Sequence, residues 1–531
     1  MSDENGFHVY DTTLRDGAQQ EGLSLSVADK LAIAALLDEL GVGFIEGGWP
    51  GAIPKDTEFF ALAAEHLNLK NAVLTAFGAT RRAGTTAADD PQVRALLDSR
   101  APVVTLVAKS HSDHVERALR TTPAENLEMV RDTIEFIAGE GRRVFLDAEH
   151  FFDGYRADRA YALEVVRVAA EAGAEVVALC DTNGGMLPGQ VADAVHEVLS
   201  GTGARLGIHC HNDTGCAVAS TLAAVDAGAT HVQGTLNGYG ERTGNADLVT
   251  VVANLVLKQD RPVLRLDQLS EATRIAHAIS EVTNIVPYSR QPYVGASAFA
   301  HKAGLHASAI RVDPNLYQHA DPTSVGNDMR MLISDMAGRA SIQLKGQELG
   351  IDLSQRPEVL VSVTDRVKQL EAQGYTFEAA DASFELLLRE HAEGERPAFF
   401  DVESWRVITE HSPAAVGGAL SEATVKLVAA GRRVVATGEG NGPVNALDHA
   451  LREALSSAYP ELGDIELIDF RVRILDAAHG TDAVTRVLIE TSDGRTSWET
   501  VGVAGNIVEA SWQALVDGIV FGLLRKGVQR R

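Results

Sequence analysis

The chain has 531 residues, 45% of them hydrophobic, with a net charge of −26 and a sequence pI near 5.0. That length exceeds one core and predicts two or three domains. So acidic a balance argues against nucleic acid or an anionic membrane as a general partner, and an anionic substrate would need local positive charge from a metal, an arginine or helix N-termini.

The opening MSDENGFHVY has no basic segment followed by an apolar one, so no signal peptide is expected. No uninterrupted apolar run approaches the ~18–20 residues of a membrane span. Cys180, Cys210 and Cys216 show no C-x-x-C spacing and suit a reducing cytoplasm.

His8 to Thr12 alternates and is β-branched, which predicts a strand ending in Leu14-Arg15-Asp16-Gly17. Ser26 to Leu40 predicts a helix, capped by Ser26 and ended by Gly41. Further strands are expected at residues 43–48, 72–77, 103–108, 143–149, 176–181, 205–211 and 231–236. Amphipathic helices fall between them, such as 126–139, 160–173, 190–199 and 218–227. About eight strand–helix units of ~30 residues fit before Leu257, the count and length of a (β/α)8 barrel. A doubly wound sheet is the runner-up, but no glycine fingerprint follows the first strand.

The expected domains are a catalytic barrel over 1–265, a helical accessory region over 266–396 and an α+β regulatory domain over 397–531. The last contains a repeat: TGEGNGPVNALDHAL from Thr437 and VGVAGNIVEASWQAL from Val501 align without gaps. A repeated strand–helix unit implies two related halves with a groove between them.

His209-Cys210-His211 ends the seventh strand. Residues two apart on a strand share a face, so both imidazoles can enter the barrel mouth and Cys210 faces away into the packing. With Asp16 from the first strand they would make a three-ligand metal site with open positions. Such a donor set suits Zn, Mn or Mg. Glu149, Thr182 and the segment through Asn245 put more polar groups on the same rim, where barrel enzymes keep their chemistry. A bound cation could chelate a 2-oxo acid, Arg15 could stabilise a developing alkoxide, and a nearby carboxylate or histidine could take a proton from the attacking carbon. That is an aldol- or Claisen-type condensation or its reverse.

Together DTTLRDG (Asp11 to Gly17), HCHND (His209 to Asp213) and GERTGN, ending at Asn245, resemble the 2-isopropylmalate, homocitrate and citramalate synthase family over nearly the whole chain. The resemblance implies Asp16, His209 and His211 as metal ligands, with Asn245 as a fourth, directly or through water. It implies Arg15 as the alkoxide-stabilising residue, Thr182 as a contact for the keto-acid carboxylate, and Glu149 as the base acting on the methyl of acetyl-CoA. His306 and Tyr317 match residues that the family brings near the active site, often from the partner subunit, which implies a domain-crossed homodimer. The C-terminal domain is similar to the family's leucine- or isoleucine-binding regulatory domain. IEGGWPGAIPKD and VGNDMRMLISDMAGRASI are similar to the bacterial citramalate synthases of this length, which implies pyruvate as acceptor and isoleucine as inhibitor. A 2-oxoisovalerate acceptor, or a lyase acting on a hydroxyacyl-CoA, are the alternatives. His306 competes with Glu149 for the base. Glu46 could orient a metal-bound water or Arg15, or pair with Lys55; Lys109 and His111 could meet CoA phosphates or be solvated, and Leu106 and Val107 are candidates for the acceptor pocket.

Overall fold

Eight parallel strands close on themselves in chain order, each hydrogen-bonded to the next and β8 back to β1. They are β1 (His8–Asp11), β2 (Phe44–Gly48), β3 (Val73–Ala79), β4 (Val103–Lys109), β5 (Arg143–Glu149), β6 (Val176–Asp181), β7 (Leu206–Cys210) and β8 (His231–Gly234). The computed structural model describes residues 6–410, 420–475 and 483–529. The sequence's strand–helix alternation is thus a (β/α)8 barrel, as expected.

The expected helix after the first strand is α1 (Val27–Leu40). Ser26 caps it in a reciprocal box with Asp29, and Gly41 ends it in the left-handed region at φ 93°. Strand alternation divides the barrel's apolar residues between two faces. Tyr10, Phe44, Val103, Phe145 and Val176 form a small cluster of their own inside the barrel. The outward residues, among them Val104, Leu106 and Leu146, pack in the large core with the surrounding helices. Inward positions nearer the strands' C-terminal ends turn polar, and these build the site.

The chain divides into two units, Met1–Phe299 with Ala320–Asp328, and Ala300–His319 with Met329–Arg531. Residues 266–396 therefore contribute to both. The helix Ala272–Thr283 buries Ile275, Ala276 and Ile279 in the barrel's core, which ties it to the first unit.

The second unit carries the repeat. One antiparallel sheet, Phe400–Glu410, Leu420–Ala429 and Arg432–Gly440, is followed by the helix Pro443–Ser456. A second sheet, Glu466–Ile474, Thr485–Ser492 and Ser497–Ala504, is followed by the helix Ile507–Arg525. The two sheet–helix pairs share one apolar core. Ile507–Arg525 is long and apolar enough to cross a membrane by length and composition, yet it lies mostly buried within this core. Its Asp517 is held by Arg396 at 2.8 Å and by Ser383 at 3.1 Å.

Candidate active site at the barrel mouth

The turn after β1 is built by its own side chains. Asp11 is fully buried and accepts from Thr13 N (2.8 Å) and Thr13 Oγ1 (2.9 Å), and Thr13 Oγ1 in turn accepts from Leu236 N beyond β8. The backbone closes with Arg15 N and Gly17 N both donating to Thr12 O. This fixes Arg15 and Asp16 over the barrel mouth.

Arg15 is clamped from two sides. Its Nε donates to Glu46 Oε2 at 2.6 Å, and its guanidinium lies 3.9 Å over the Phe77 ring. Glu46 is itself buried and accepts from Tyr10 OH at 2.7 Å. Of the two cations open to Glu46 in the sequence, the structure pairs it with Arg15, while Lys55 donates to Leu25 O. Burial opposes the Arg15 charge, but Glu46 and Asp16 outweigh it and raise its pKa.

Asp16, His209 and His211 come together as one buried group, with one ligand atom from each inside a 4.8 Å span. Asp16 Oδ2 lies 3.1 Å from His209 Nε2 and 3.6 Å from His211 Nε2. Burial disfavours the charged Asp16, yet Arg15 and the imidazoles overcome this and hold its carboxyl far below the usual range. The His211 imidazole is pushed down to about 4, first by burial and then by His209, so it is neutral at pH 7 and free to act as a ligand. Asn245 pairs by a backbone bridge with His211. Its Nδ2 donates to Tyr239 O, while its Oδ1 is buried without a hydrogen-bond partner among the described residues. Gly244 just before it sits at φ +87°, where a Cβ would lie 2.0 Å from Gly238 O, so only glycine admits this approach. A carboxylate, two imidazoles and an orphaned amide oxygen are a fitting donor set for a divalent cation.

One cavity of about 1000 Å³ is lined by Arg15, Asp16, Glu149, Thr182, His209 and His211. Glu149 forms an ion pair with Lys109 there. Thr182 Oγ1 accepts from His150 N at 2.8 Å, and Thr182 O accepts from Arg242, whose fork also grips Asp213 at 2.9 Å. Val107 lines the cavity; Leu106 is fully buried and faces the helices, because strand alternation turns it outward. Cys210 likewise packs in the outer core. His306 and Tyr317 belong to the second unit, where their rings stack 4.2 Å apart.

The sequence reading missed a row behind His209. Gln233 Oε1 lies 2.9 Å from His209 Nδ1, and Gln233 Nε2 donates to Asp147 Oδ1 at 2.8 Å. Asp147 lies two residues before Glu149 and shares its face, and that spacing was the available signal. Burial, then Glu46, pushes the Asp147 carboxyl up to about 7.

The second unit has its own cavity of about 970 Å³, lined by Asn441, Val444, His449, Arg452, Tyr459 and Phe470 among others.

Comparison with known proteins agrees with this architecture. The HMGL-like family matches residues 7–276, the homocitrate synthase post-HMGL domain-like family residues 293–375, and the LeuA allosteric (dimerisation) domain residues 378–522. An (R)-citramalate synthase of Streptomyces coelicolor is 66% identical over 99% of this chain and 98% of the relative. One from Synechocystis sp. is 49% identical over 97% and 96%. A probable 2-isopropylmalate synthase of Methanopyrus kandleri is 34% identical over 96% and 97%. The chain belongs to the HMGL-like family, in the full-length group whose members include the (R)-citramalate synthases.

Proposed function

We propose that this chain condenses acetyl-CoA with pyruvate and hydrolyses the product to citramalate and CoA, the entry step of a pyruvate route to isoleucine. The supporting observation is the single cavity in which Arg15, the Asp16–His209–His211 group and Glu149 converge. Relatives named (R)-citramalate synthase, at 45–66% identity over nearly their full length, support pyruvate as the acceptor.

Asp16, His209, His211 and Asn245 would hold a divalent cation, Mn, Mg or Zn. Bound there, it would supply Lewis-acid polarisation of the 2-oxo acid's keto oxygen. Thr182 binds the pyruvate carboxylate. Glu149, steadied by Lys109, removes a proton from the acetyl methyl, and that carbon forms the new bond to the keto carbon. Arg15, pinned by Glu46, faces the alkoxide oxygen that develops and offsets its charge. Water then cleaves the thioester and CoA leaves as its thiol. His306 and Tyr317 complete the site from the partner subunit of a domain-crossed homodimer; the match to a LeuA dimerisation domain supports the dimer. Isoleucine is the effector, and the second unit's cavity, inside the LeuA-matching region, is where we place it. Three free cysteines fit a cytoplasmic enzyme.

The test is CoA release from acetyl-CoA with pyruvate, 2-oxobutanoate, 2-oxoisovalerate, 2-oxoglutarate or no acceptor, in the presence of a divalent metal. Preference for pyruvate is expected. Preference for 2-oxoisovalerate would move the assignment to isopropylmalate synthesis, and no release with any acceptor would favour a lyase.

A further inference from the structure

We propose that Gln233 and Asp147 are positioning residues that fix the tautomer of His209, and with it the affinity of the Asp16–His209–His211 group for a divalent cation. The proposal rests on the reading of that group as a metal site.

A primary amide has two unlike ends, an oxygen that accepts and a nitrogen that donates. Gln233 on β8 is the register neighbour of His209 on β7, and it reaches across the barrel to Asp147 on β5. All three side chains are buried, at 0%, 5% and 4% exposure for Gln233, His209 and Asp147. Gln233 is sealed from water, so both ends of its amide must be matched within the row. The Asp147 oxygen accepts a hydrogen bond, so it draws the amino end of Gln233 toward β5. The carbonyl end is left facing His209 Nδ1. A carbonyl oxygen only accepts, so Nδ1 carries the proton.

The consequence falls on the other ring nitrogen. With the proton on Nδ1, His209 Nε2 can turn a lone pair toward the space shared with Asp16 Oδ2 and His211 Nε2. If the amide reversed, its amino group would meet Nδ1 and favour the opposite tautomer. The proton would then sit on Nε2 and block the ligand position. His211 has no equivalent support: its Nδ1 is buried without a partner among the described residues. His209 is the orienting imidazole of the group, and Asp147 sets its orientation from two contacts away.

The sequence places this row with economy. Asp147 and Glu149 stand two apart on β5, so one strand delivers both the group that orients the metal ligand and the group proposed as base. In the layer beneath, Tyr10, Phe44 and Phe145 pack together with His231.

The experiment is a cation titration of the full-length chain stripped with chelator, by Co²⁺ or Zn²⁺ competition against a chromophoric chelator, with no turnover involved. Asp147→Ala, which frees the amide to reverse, and Gln233→Met, near in size but unable to accept, should each weaken binding by about 10- to 100-fold. Asp147→Asn keeps a carbonyl acceptor and should stay within about threefold of the parent. The melting temperature of each stripped variant reads its fold, and Gln233→Met carries the test alone if Asp147→Ala melts early. Parent-like affinity in Gln233→Met, or Asp147→Asn as weak as Asp147→Ala, would overturn the proposal. Asp16→Ala is the control: if it too binds like the parent, the metal reading of the group has failed, and not the role of the row behind it.

Discussion

Removing the Glu46 carboxylate should disarm Arg15 without touching the substrate cavity's shape. Glu46 is fully buried and divides its two oxygens between Arg15 Nε at 2.6 Å and Tyr10 OH at 2.7 Å. Arg15 is 13% exposed, so in Glu46→Ala its charge stays buried with Asp16, 3.8 Å away, and the more distant Asp147 left to answer it. Breaking a buried pair from one side costs about 3–5 kcal/mol. The barrel unit has roughly 300 residues, and at ~2.1 cal/mol/K per residue that penalty lowers its melting temperature by about 5–8 °C. The loss in kcat/KM should be about 10²–10³, the scale of one misaimed alkoxide-stabilising donor. Glu46→Gln keeps a neutral acceptor for Arg15 Nε and should fall between parent and Glu46→Ala on both scales. The assays are thiol release from acetyl-CoA with pyruvate and a thermal melt of the same preparations. Glu46→Ala with kcat/KM within threefold of the parent would refute the reasoning, since Arg15 would then hold its place on Phe77 alone.

Glu149→Gln should lower kcat by about 10²–10⁴ and abolish deuterium wash-in at the acetyl methyl in D2O; wash-in at the parent rate would pass the base role to His306. Dialysis against a chelator should abolish thiol release, and added Mn²⁺ or Zn²⁺ should restore it; full activity with metal below the enzyme concentration would sink the metal reading. Acid should destabilise the barrel through His231, whose pKa burial, and then His8, drives well below its ordinary value. The unfolded chain takes up that proton below about pH 6.5 and the native site does not, so stability falls as pH drops through that value. The acid limb of the melting curve should therefore be shallower in His231→Phe, and an equally steep limb would exclude His231 as its source. Val444→Trp, filling the second unit's cavity, should raise the isoleucine concentration for half-inhibition more than tenfold; an unchanged value would move the effector elsewhere.

The sequence made the barrel legible because its signals are local. Arg143–Glu149 and Val176–Asp181 read as strands from their own composition, and Ser26 and Gly41 announce the ends of α1. The geometry of the Asp16–His209–His211 group was also within reach, since H-x-H on a strand puts two imidazoles on one face and Asp16 ends another strand. The row behind it was legible only as the Asp147–Glu149 spacing on one strand face. Asp147 and Gln233 are ordinary polar residues in their own segments, and only closure of β5, β7 and β8 around one axis brings them together with His209. The same limit explains Leu106 and Val107. Both are apolar and adjacent, and the sequence offered no reason to separate them. The pleat does: it sends Val107 into the cavity and Leu106 into the helices.

What closure adds, then, is a choice among partners that the sequence leaves open. Glu46 had two candidate cations, Arg15 and Lys55, and nothing in the local sequence ranks them. In the barrel Arg15 approaches from β1 along the inward face, while Lys55 lies past the turn after β2 and spends its charge on Leu25 O. Lys109 had two readings, phosphate contact or solvated loop. Its strand pairs β4 with β5 so that Lys109 stands beside Glu149 in register, which makes the ion pair the nearer use of its charge. In both cases the partners of Arg15 and Glu149 are chosen by strand register, so a one-residue slip of β2 or β4 would break the ion pair that strand makes while leaving each local motif intact.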